Sequence, residues 1–281
     1  MNGTLRLIDE RMSLRRYAPH PIAPEHVEAI LHSALRAPTA ANMMLYSIVQ
    51  VEDQAKKDHL VETCGHSFIG QAPLVLLFLA DMQRWYDYYE VCGVSQSCET
   101  HGLPYQTPQA SNLMMSCCDA LIAAQTTVIA AESLGIGSCY IGDILGHCEA
   151  HRALFHLPRW TFPITLVCYG YYPQGMERKR STRFDRRYIC FKDKYKRLSK
   201  DEFQDMLAHI EAKFRWLLDQ KGINLGELTY QNWPVGAGGD ALGGHPAGGL
   251  AEIRDSRRQR PPILPNRGYP CRRVSIGEAK R

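Results

Sequence analysis

Residues 11–17 read Arg11-Met12-Ser13-Leu14-Arg15-Arg16-Tyr17, a short stretch in which guanidinium groups lie on both sides of a hydroxyl. An arginine side chain presents a planar fork of donors that matches the oxygens of a phosphate, and a serine adds a neutral donor beside it. The stretch therefore predicts a phosphate-binding site. Short basic runs are usually solvent-exposed surface, so this one gains weight only from the segments that follow it.

Three later segments accompany this stretch. Pro38-Thr39-Ala40-Ala41-Asn42 follows one helical pattern, and Gly135-Ile136-Gly137-Ser138-Cys139-Tyr140-Ile141-Gly142 follows a longer one. The region from Arg178 to Arg187 is again rich in arginine. A turn after Pro38 and a helix C-cap at Gly135 explain part of this pattern without any ligand, so both readings stay open from the residues alone.

In this order and at these separations, the segments resemble the nitroreductase family of FMN flavoproteins from about Leu7 to Lys196. The resemblance implies an α+β fold with a central mixed sheet flanked by helices and a long buried helix at a homodimer interface. It implies FMN as the cofactor and NAD(P)H as the electron donor. A flavin performs the redox step itself, so no side chain is expected to act as a catalytic nucleophile.

The resemblance also assigns cofactor contacts. Lys179, Arg180 and Arg183 are candidates to close on the phosphate, and Arg183 is preferred because it lies in the matching Arg-Phe-Asp context. Arg178, Arg186 and Arg187 are expected to face solvent. Tyr140, Ile141 and Gly142 would run along the isoalloxazine ring, with the Gly142 backbone N–H facing N5. The phosphate and ribityl chain are expected to contact Arg11, Met12, Ser13 and Arg15. The edge of the ring is expected to contact Pro38, Thr39, Ala40 and Asn42 from across the dimer interface.

The segment from Trp85 to Tyr105 is rich in aromatic side chains and is predicted to be a long loop. Long loops in compact domains are usually functional, so Trp85, Tyr88 and Tyr105 are expected to stack on the substrate; plain surface packing remains the alternative. The expected substrate is a nitroaromatic, a quinone or a similar electron-poor compound, reduced by a ping-pong mechanism. Halogenated, enone-type or flavin-derived substrates, and a non-catalytic flavin-binding redox sensor, are the alternatives.

The composition is that of a globular protein, with 45% hydrophobic residues in 281. Its ten cysteines contain no CxxC pair, and several lie in apolar runs, which is typical of free thiols in a reducing cytoplasm. The longest apolar run, Pro73 to Ala80, has the length of a strand, and no membrane partner is expected.

The net positive charge of the chain comes from its C-terminal end. Residues 234–281 hold nine Lys or Arg against four Asp or Glu, so the net charge of this tail is +5. The whole chain carries +4, which leaves the body at about −1. The body therefore predicts no nucleic-acid partner. The tail is rich in Gly, Pro and Arg and is predicted to be disordered, which leaves residues 1–233 as the FMN-binding domain.

The histidines near position 150 are a last candidate site. His147 and His151 lie four residues apart on a predicted helix with Cys148 between them, a possible zinc pair. No second ligand set at metal-site spacing accompanies them, so a solvated helix face is expected and no metal.

Apolar periodicity predicts alternating helices and strands in the body. The predicted helices are Pro24–Leu35, Asp53–Cys64, Gln109–Leu134 and Lys200–Leu217, and the predicted strands are Tyr46–Val51, Pro73–Ala80 and Phe162–Tyr172.

Overall fold

The computed structural model describes residues 1–231, which fall into a compact unit Met1–Lys179 and a second unit that begins at Arg180. The predicted tail, 234–281, lies outside the described residues, and the predicted boundary at 233 stays a prediction. The elements of the first unit are α1 (Gly3–Glu10), α2 (Pro24–Leu35), β1 (Tyr46–Gln50), α3 (Gln54–Cys64), β2 (Leu74–Asp81), α4 (Gln83–Val91), α5 (Val94–Thr100), α6 (Ala110–Ser133), β3 (Ile136–Ile141), α7 (Cys148–Leu154) and β4 (Thr161–Tyr171).

The four strands form one sheet in the order β1-β2-β4-β3, and each neighbouring pair is antiparallel. A parallel component is present as a bridge between Ser13 and Ser138, which attaches the segment after α1 to the free edge of β3. All eight residues of β2 are buried, as expected for a central strand covered on both faces. The predicted α+β fold with a central sheet flanked by helices is confirmed.

Two apolar clusters lie on the two faces of this sheet. One joins α2 and α6 to residues such as Leu76, Phe78 and Tyr169 of the strands. The other joins α3 and the region around Ile144 to Val75, Leu77 and neighbouring residues of the opposite face. Alternate strand residues point to opposite faces, so β2 contributes to both clusters in turn.

Helix α6 has the bounds that the sequence predicts to within one residue, and a capping box formed by Gln109 and Asn112 begins it. It packs against α2 and the sheet. By length and composition it is apolar enough to cross a membrane, a property that core helices share. One side is buried, while large apolar side chains are exposed on the other, namely Met114, Met115, Leu121 and Ile122.

Two local predictions are wrong. The segment Trp85–Tyr105 is not one long loop, because it contains α4 and α5. Trp85, Tyr88 and Tyr89 recur at three and four residues, which is the spacing of one helix face. The strand β3 was missed, because its glycine and small polar residues resemble a loop more than a strand.

The second unit contains α8 (Lys200–Lys221) and α9 (Leu225–Gln231). A capping box of Ser199 and Glu202 begins α8, and Gly222, with a φ of 62°, ends it. Apolar side chains of the two helices form a small cluster around Leu218, Leu225 and Leu228.

Candidate functional site

The segment 11–17 lies along the open edge of β3. The backbone N–H of Leu14 donates to the Ser138 carbonyl oxygen at 2.8 Å, and that of Ala18 donates to the Tyr171 carbonyl oxygen at 2.9 Å. The Leu14 side chain is fully buried. Because extended residues alternate in direction, burial of Leu14 turns Ser13 and Arg15 away from the core.

Two glycines of the sheet allow this segment to pack closely against it. Gly137 and Gly170 lie opposite each other in the β3–β4 ladder. A Cβ at position 137 would lie 2.7 Å from Leu14 Cδ2, and one at position 170 would lie 2.5 Å from Tyr17 Cδ1. Any side chain at either glycine would therefore displace the arginine-bearing segment.

The arginines of this segment fit an anionic ligand. The Nε of Arg11 is buried and has no hydrogen-bond partner among the described residues. Burial raises the pKa of Tyr140, and the nearby Arg11 guanidinium opposes that rise, so Arg11 lies close to Tyr140. Arg15 is exposed, with its guanidinium carbon 6.0 Å from the ring centre of Phe68. A buried guanidinium N–H with no partner is costly and calls for an acceptor such as a phosphate or carbonyl oxygen.

The C-terminal end of β3 leads into an open space. Tyr140 is half-buried and donates its hydroxyl to Gln125 at 3.3 Å, while Ile141 is buried. Gly142 has a φ of −82°, and among the described residues no heavy atom lies within 4 Å of a Cβ built there. The described chain does not itself require a glycine at this position, so the open space suits the close approach of a ligand.

Asp143, the next residue, has a defined partner. Its Oδ2 lies 2.9 Å from Nε2 of His66, whose ring stacks on Phe68 with a centroid separation of 5.3 Å. Phe68 is also the ring beside Arg15. Asp143, His66 and Arg15 therefore belong to one neighbourhood next to the open space at Gly142.

The Pro38–Asn42 motif forms a turn that a buried acid holds. The Thr39 hydroxyl donates to Asp119 Oδ2 at 2.5 Å and accepts from the Met44 backbone N–H at 2.8 Å. The backbone N–H groups of Ala40 and Leu45 also donate to the Asp119 carboxylate, at 3.2 and 3.1 Å. The turn is real, and the Thr39 hydroxyl is already engaged within the chain.

Asp119 was missed by the sequence analysis, although a signal was present. Asp119 and Glu132 are the two charged residues of the 24-residue helix α6, and each is 3% exposed. A carboxylate in an apolar helix face must be paired or hydrogen-bonded, so such a residue marks a partner elsewhere in the chain.

The aromatic residues of α4 are only partly available to a substrate. The Trp85 indole N–H donates to the Met43 carbonyl oxygen at 2.8 Å, so its polar edge serves the turn. Tyr88 is 56% exposed. Tyr105 donates its hydroxyl to Glu90 at 2.5 Å, and that acceptor raises the pKa of Tyr105. Substrate contacts by these three residues stay a prediction.

Arg178 is exposed, as the sequence predicts, and it is also paired with a buried acid. Its Nη1 donates to the buried Glu132 at 2.6 Å, and its guanidinium lies 4.0 Å from the ring centre of Tyr172. Glu132 also accepts from the Tyr172 hydroxyl at 2.9 Å. Arg180 and Arg183 are exposed residues of the second unit, and their role in phosphate binding stays a prediction.

The prediction of a solvated helix face at His147 and His151 is wrong for His151. That side chain is fully buried, and its two ring nitrogens lie 2.8 Å from Thr63 Oγ1 and 2.8 Å from the Ile144 carbonyl oxygen. Burial lowers the pKa of His151. Within residues 1–231, no three His, Cys, Asp or Glu side chains are grouped to hold a metal ion.

Comparison with known proteins gives a consistent result. The sequence description of the nitroreductase family matches residues 8–171. An FMN reductase [NAD(P)H] of Bacillus subtilis is 29% identical over 83% of this chain and 88% of its own length. An oxygen-insensitive NADPH nitroreductase of Salmonella typhimurium is 29% identical over 61% of this chain and 66% of its own.

A solved structure supports the fold. The NADPH:FMN oxidoreductase of Vibrio harveyi, complexed with NAD+, superposes with a TM-score of 0.66 at 24% identity, covering 85% of this chain and 100% of the other. The family match spans more than half of the chain and includes the segment 11–17, the Thr39 turn and β3. The resemblance seen in the sequence is thereby confirmed, and the chain belongs to the nitroreductase family.

Proposed function

We propose that the protein is a soluble, cytoplasmic FMN-dependent oxidoreductase that takes a hydride from NAD(P)H and reduces a small electron-poor compound. One observation carries the proposal. The buried Nε of Arg11, which has no hydrogen-bond partner within residues 1–231, lies in a segment docked on β3, and that strand ends at the open space beside Gly142. A phosphate at the arginines and a flat ring at the glycine would suit both features.

The chain's own residues supply binding and orientation. Arg11 and Arg15 would neutralise the FMN phosphate, with Ser13 as a further donor between them. The buried Leu14 fixes the segment to the sheet, so the guanidiniums start from a rigid support. When bound, FMN supplies the redox chemistry, because the isoalloxazine ring can accept a hydride and pass its electrons to an acceptor.

Donor and acceptor would use the same open space in turn, which makes a ping-pong mechanism our proposal for the kinetics. No second nucleotide-binding motif is evident in the sequence, which is consistent with a shared site. Intersecting initial-rate lines that require a ternary complex would contradict this mechanism.

Nitroaromatic compounds and quinones are the proposed acceptors. The names of the relatives support this class, since one is an NADPH nitroreductase. Reduction of a flavin-derived acceptor is the second candidate, because another relative is an FMN reductase. The two candidates differ in whether free flavin leaves the enzyme in reduced form.

The test is turnover by the purified, FMN-loaded protein with NADH and with NADPH. Nitrofurazone, menadione and free FMN would be supplied as separate acceptors, and NAD(P)H consumption would be followed at 340 nm with oxygen excluded. We expect multiple turnovers with at least one acceptor. Tight FMN binding with no turnover on any of them would favour the redox-sensor alternative.

A homodimer is the proposed assembly. Helix α6 exposes four large apolar side chains, Met114, Met115, Leu121 and Ile122. Exposure of this apolar surface to water is unfavourable, and a second copy of the chain would cover it. In such a dimer Asn42 would contact the flavin held by the other chain. A flavin-loaded monomer found by light scattering at micromolar concentration would overturn this proposal.

A further inference from the structure

The turn formed by residues 39–44 is held in an unfavourable backbone shape by groups from two helices. We propose that Asp119 is a positioning residue that fixes this turn, and through it Asn42, in the shape that serves the flavin ring. The inference rests on the proposed function, because it takes Asn42 as a cofactor contact.

The first support is the completeness of the contacts to Asp119. Its carboxylate accepts one hydroxyl, from Thr39, and two backbone N–H groups, from Ala40 and Leu45. These donors lie at both ends of the turn, so a single side chain spans it. A buried carboxylate with three donors is strongly fixed, because charge-assisted hydrogen bonds are short and strong.

The second support is the strain in the turn. Ala41, Asn42 and Met44 have φ values of 48°, 58° and 50°, in the left-handed region that non-glycine residues rarely adopt. Three such residues within four positions persist only where the surroundings over-determine the backbone. Strain of this kind clusters at ligand-binding sites, so its presence at Asn42 favours a role in binding.

The third support is a second set of contacts, in which side chains donate to the carbonyl groups of the turn. From α4, Arg84 Nη1 donates to the Met44 carbonyl oxygen at 3.1 Å and the Trp85 indole donates to the Met43 carbonyl oxygen at 2.8 Å. Asp119 therefore accepts from one backbone N–H group at each end of the turn, while α4 donates to two of its carbonyl groups. The turn is fixed between α6 and α4, and Asp119 is bonded to residues at both of its ends.

The test compares Asp119→Asn with the wild type in full-length protein. The asparagine keeps the size of the side chain but places an NH₂ group among donors, so the turn should lose its fixed shape. We expect FMN and riboflavin affinities, measured by flavin fluorescence, to fall together by about tenfold. The ratio of the two affinities should not change, because the phosphate is held by other residues.

Glu132→Gln is the matched control, because it also neutralises a buried acid of α6 but does not touch the turn. A general loss of helix packing would affect both variants alike. We expect the control to weaken riboflavin binding by less than about twofold. Equal losses in the two variants would overturn the positioning role.

Thr39 provides a second variant if Asp119→Asn fails to fold. Thr39→Val removes the bond to Asp119 and leaves the carboxylate, whereas Thr39→Ser keeps the hydroxyl. We expect riboflavin affinity to fall in the valine variant and to equal that of the wild type in the serine variant. Equal riboflavin affinity in Thr39→Val and wild type would overturn it.

The wild-type measurement separates the inference from the proposed function. Wild-type protein that binds no FMN would overturn both. Wild-type protein that binds FMN, together with an Asp119→Asn variant of equal FMN and riboflavin affinity and an unchanged bound-flavin absorbance spectrum, would overturn the positioning role alone.

Discussion

Two glycines at opposite ends of β3 should respond to alanine in different ways. Gly137 is enclosed by the chain itself, whereas Gly142 faces open space among the described residues. Gly137→Ala is therefore expected to destabilise the apoprotein. Gly142→Ala is expected to leave its folding intact and to weaken FMN binding.

The magnitudes follow from the contacts of the added methyl group. At position 137 it would lie 2.7 Å from Tyr172 Cζ and 2.9 Å from Leu14 Cβ, closer than packed atoms tolerate. Overpacking costs about 1–3 kcal/mol, partly offset by about 0.4–1 kcal/mol from the reduced freedom of the unfolded chain. We expect the melting temperature of Gly137→Ala to fall by roughly 2–6 °C.

At position 142 the methyl group meets nothing in the described part of the chain, and the φ of −82° suits alanine. The apoprotein should therefore melt about 1–3 °C higher, through the unfolded state alone. If a flavin ring approaches this backbone closely, the same methyl group should cost about 1–3 kcal/mol of binding, which is a loss of roughly 5- to 150-fold in FMN affinity.

The assay is thermal unfolding of the apoprotein together with FMN titration of each variant. Gly3→Ala is the control, because its Cβ also meets nothing within 4 Å and it lies in α1, outside the proposed site. Its FMN affinity should equal that of the wild type. The reasoning is refuted if Gly142→Ala binds FMN as tightly as Gly3→Ala does, or if it lowers the melting temperature as Gly137→Ala does.

Three further outcomes are expected. Arg15→Ala should lose about 1.5–3 kcal/mol of FMN binding but little riboflavin binding, since the charge-assisted bond is to phosphate; equal wild-type affinity for the two ligands would contradict a phosphate clamp. His151 has a pKa lowered by burial, so the unfolded chain takes up a proton that the folded chain resists. The free energy of unfolding should therefore fall as the pH drops below about 6.5, and urea titrations should find a smaller fall in His151→Asn. Truncation after Trp233 should leave flavin content, dimerisation and turnover unchanged; loss of flavin or of the dimer would make the tail structural.

The regular elements of the fold could be predicted where apolar periodicity is strong. Helix α6 and strand β2 have nearly the bounds that their patterns indicate, because each is a long apolar run that packs into the core. Strand β3 could not be predicted in this way. Its Gly137 is selected by the approach of Leu14, a contact between residues more than a hundred positions apart that no local pattern contains.

The residues proposed to bind the ligand could be identified from the sequence, whereas the residues that support them could not. Arg11 and Ser13 belong to a local motif, so the sequence displays them together. The partner of Thr39 lies 80 residues away on α6, and the partner of Arg178 lies 46 residues away on the same helix. Such pairings follow from tertiary packing, which a single sequence does not specify.

The two acids of α6 have complementary positions relative to the proposed site. Asp119 holds the Thr39 turn, and Glu132, thirteen residues further along the helix, holds Tyr172 and Arg178. Burial raises the pKa of Tyr172, and the neighbouring Glu132 carboxylate adds to that rise because it accepts a hydrogen bond from the Tyr172 hydroxyl. Thirteen residues of α-helix span about 20 Å. One rigid helix therefore holds both the turn proposed for the ring edge and the Tyr172–Arg178 pair, so each of its buried acids fixes a distant part of the chain on the same core element.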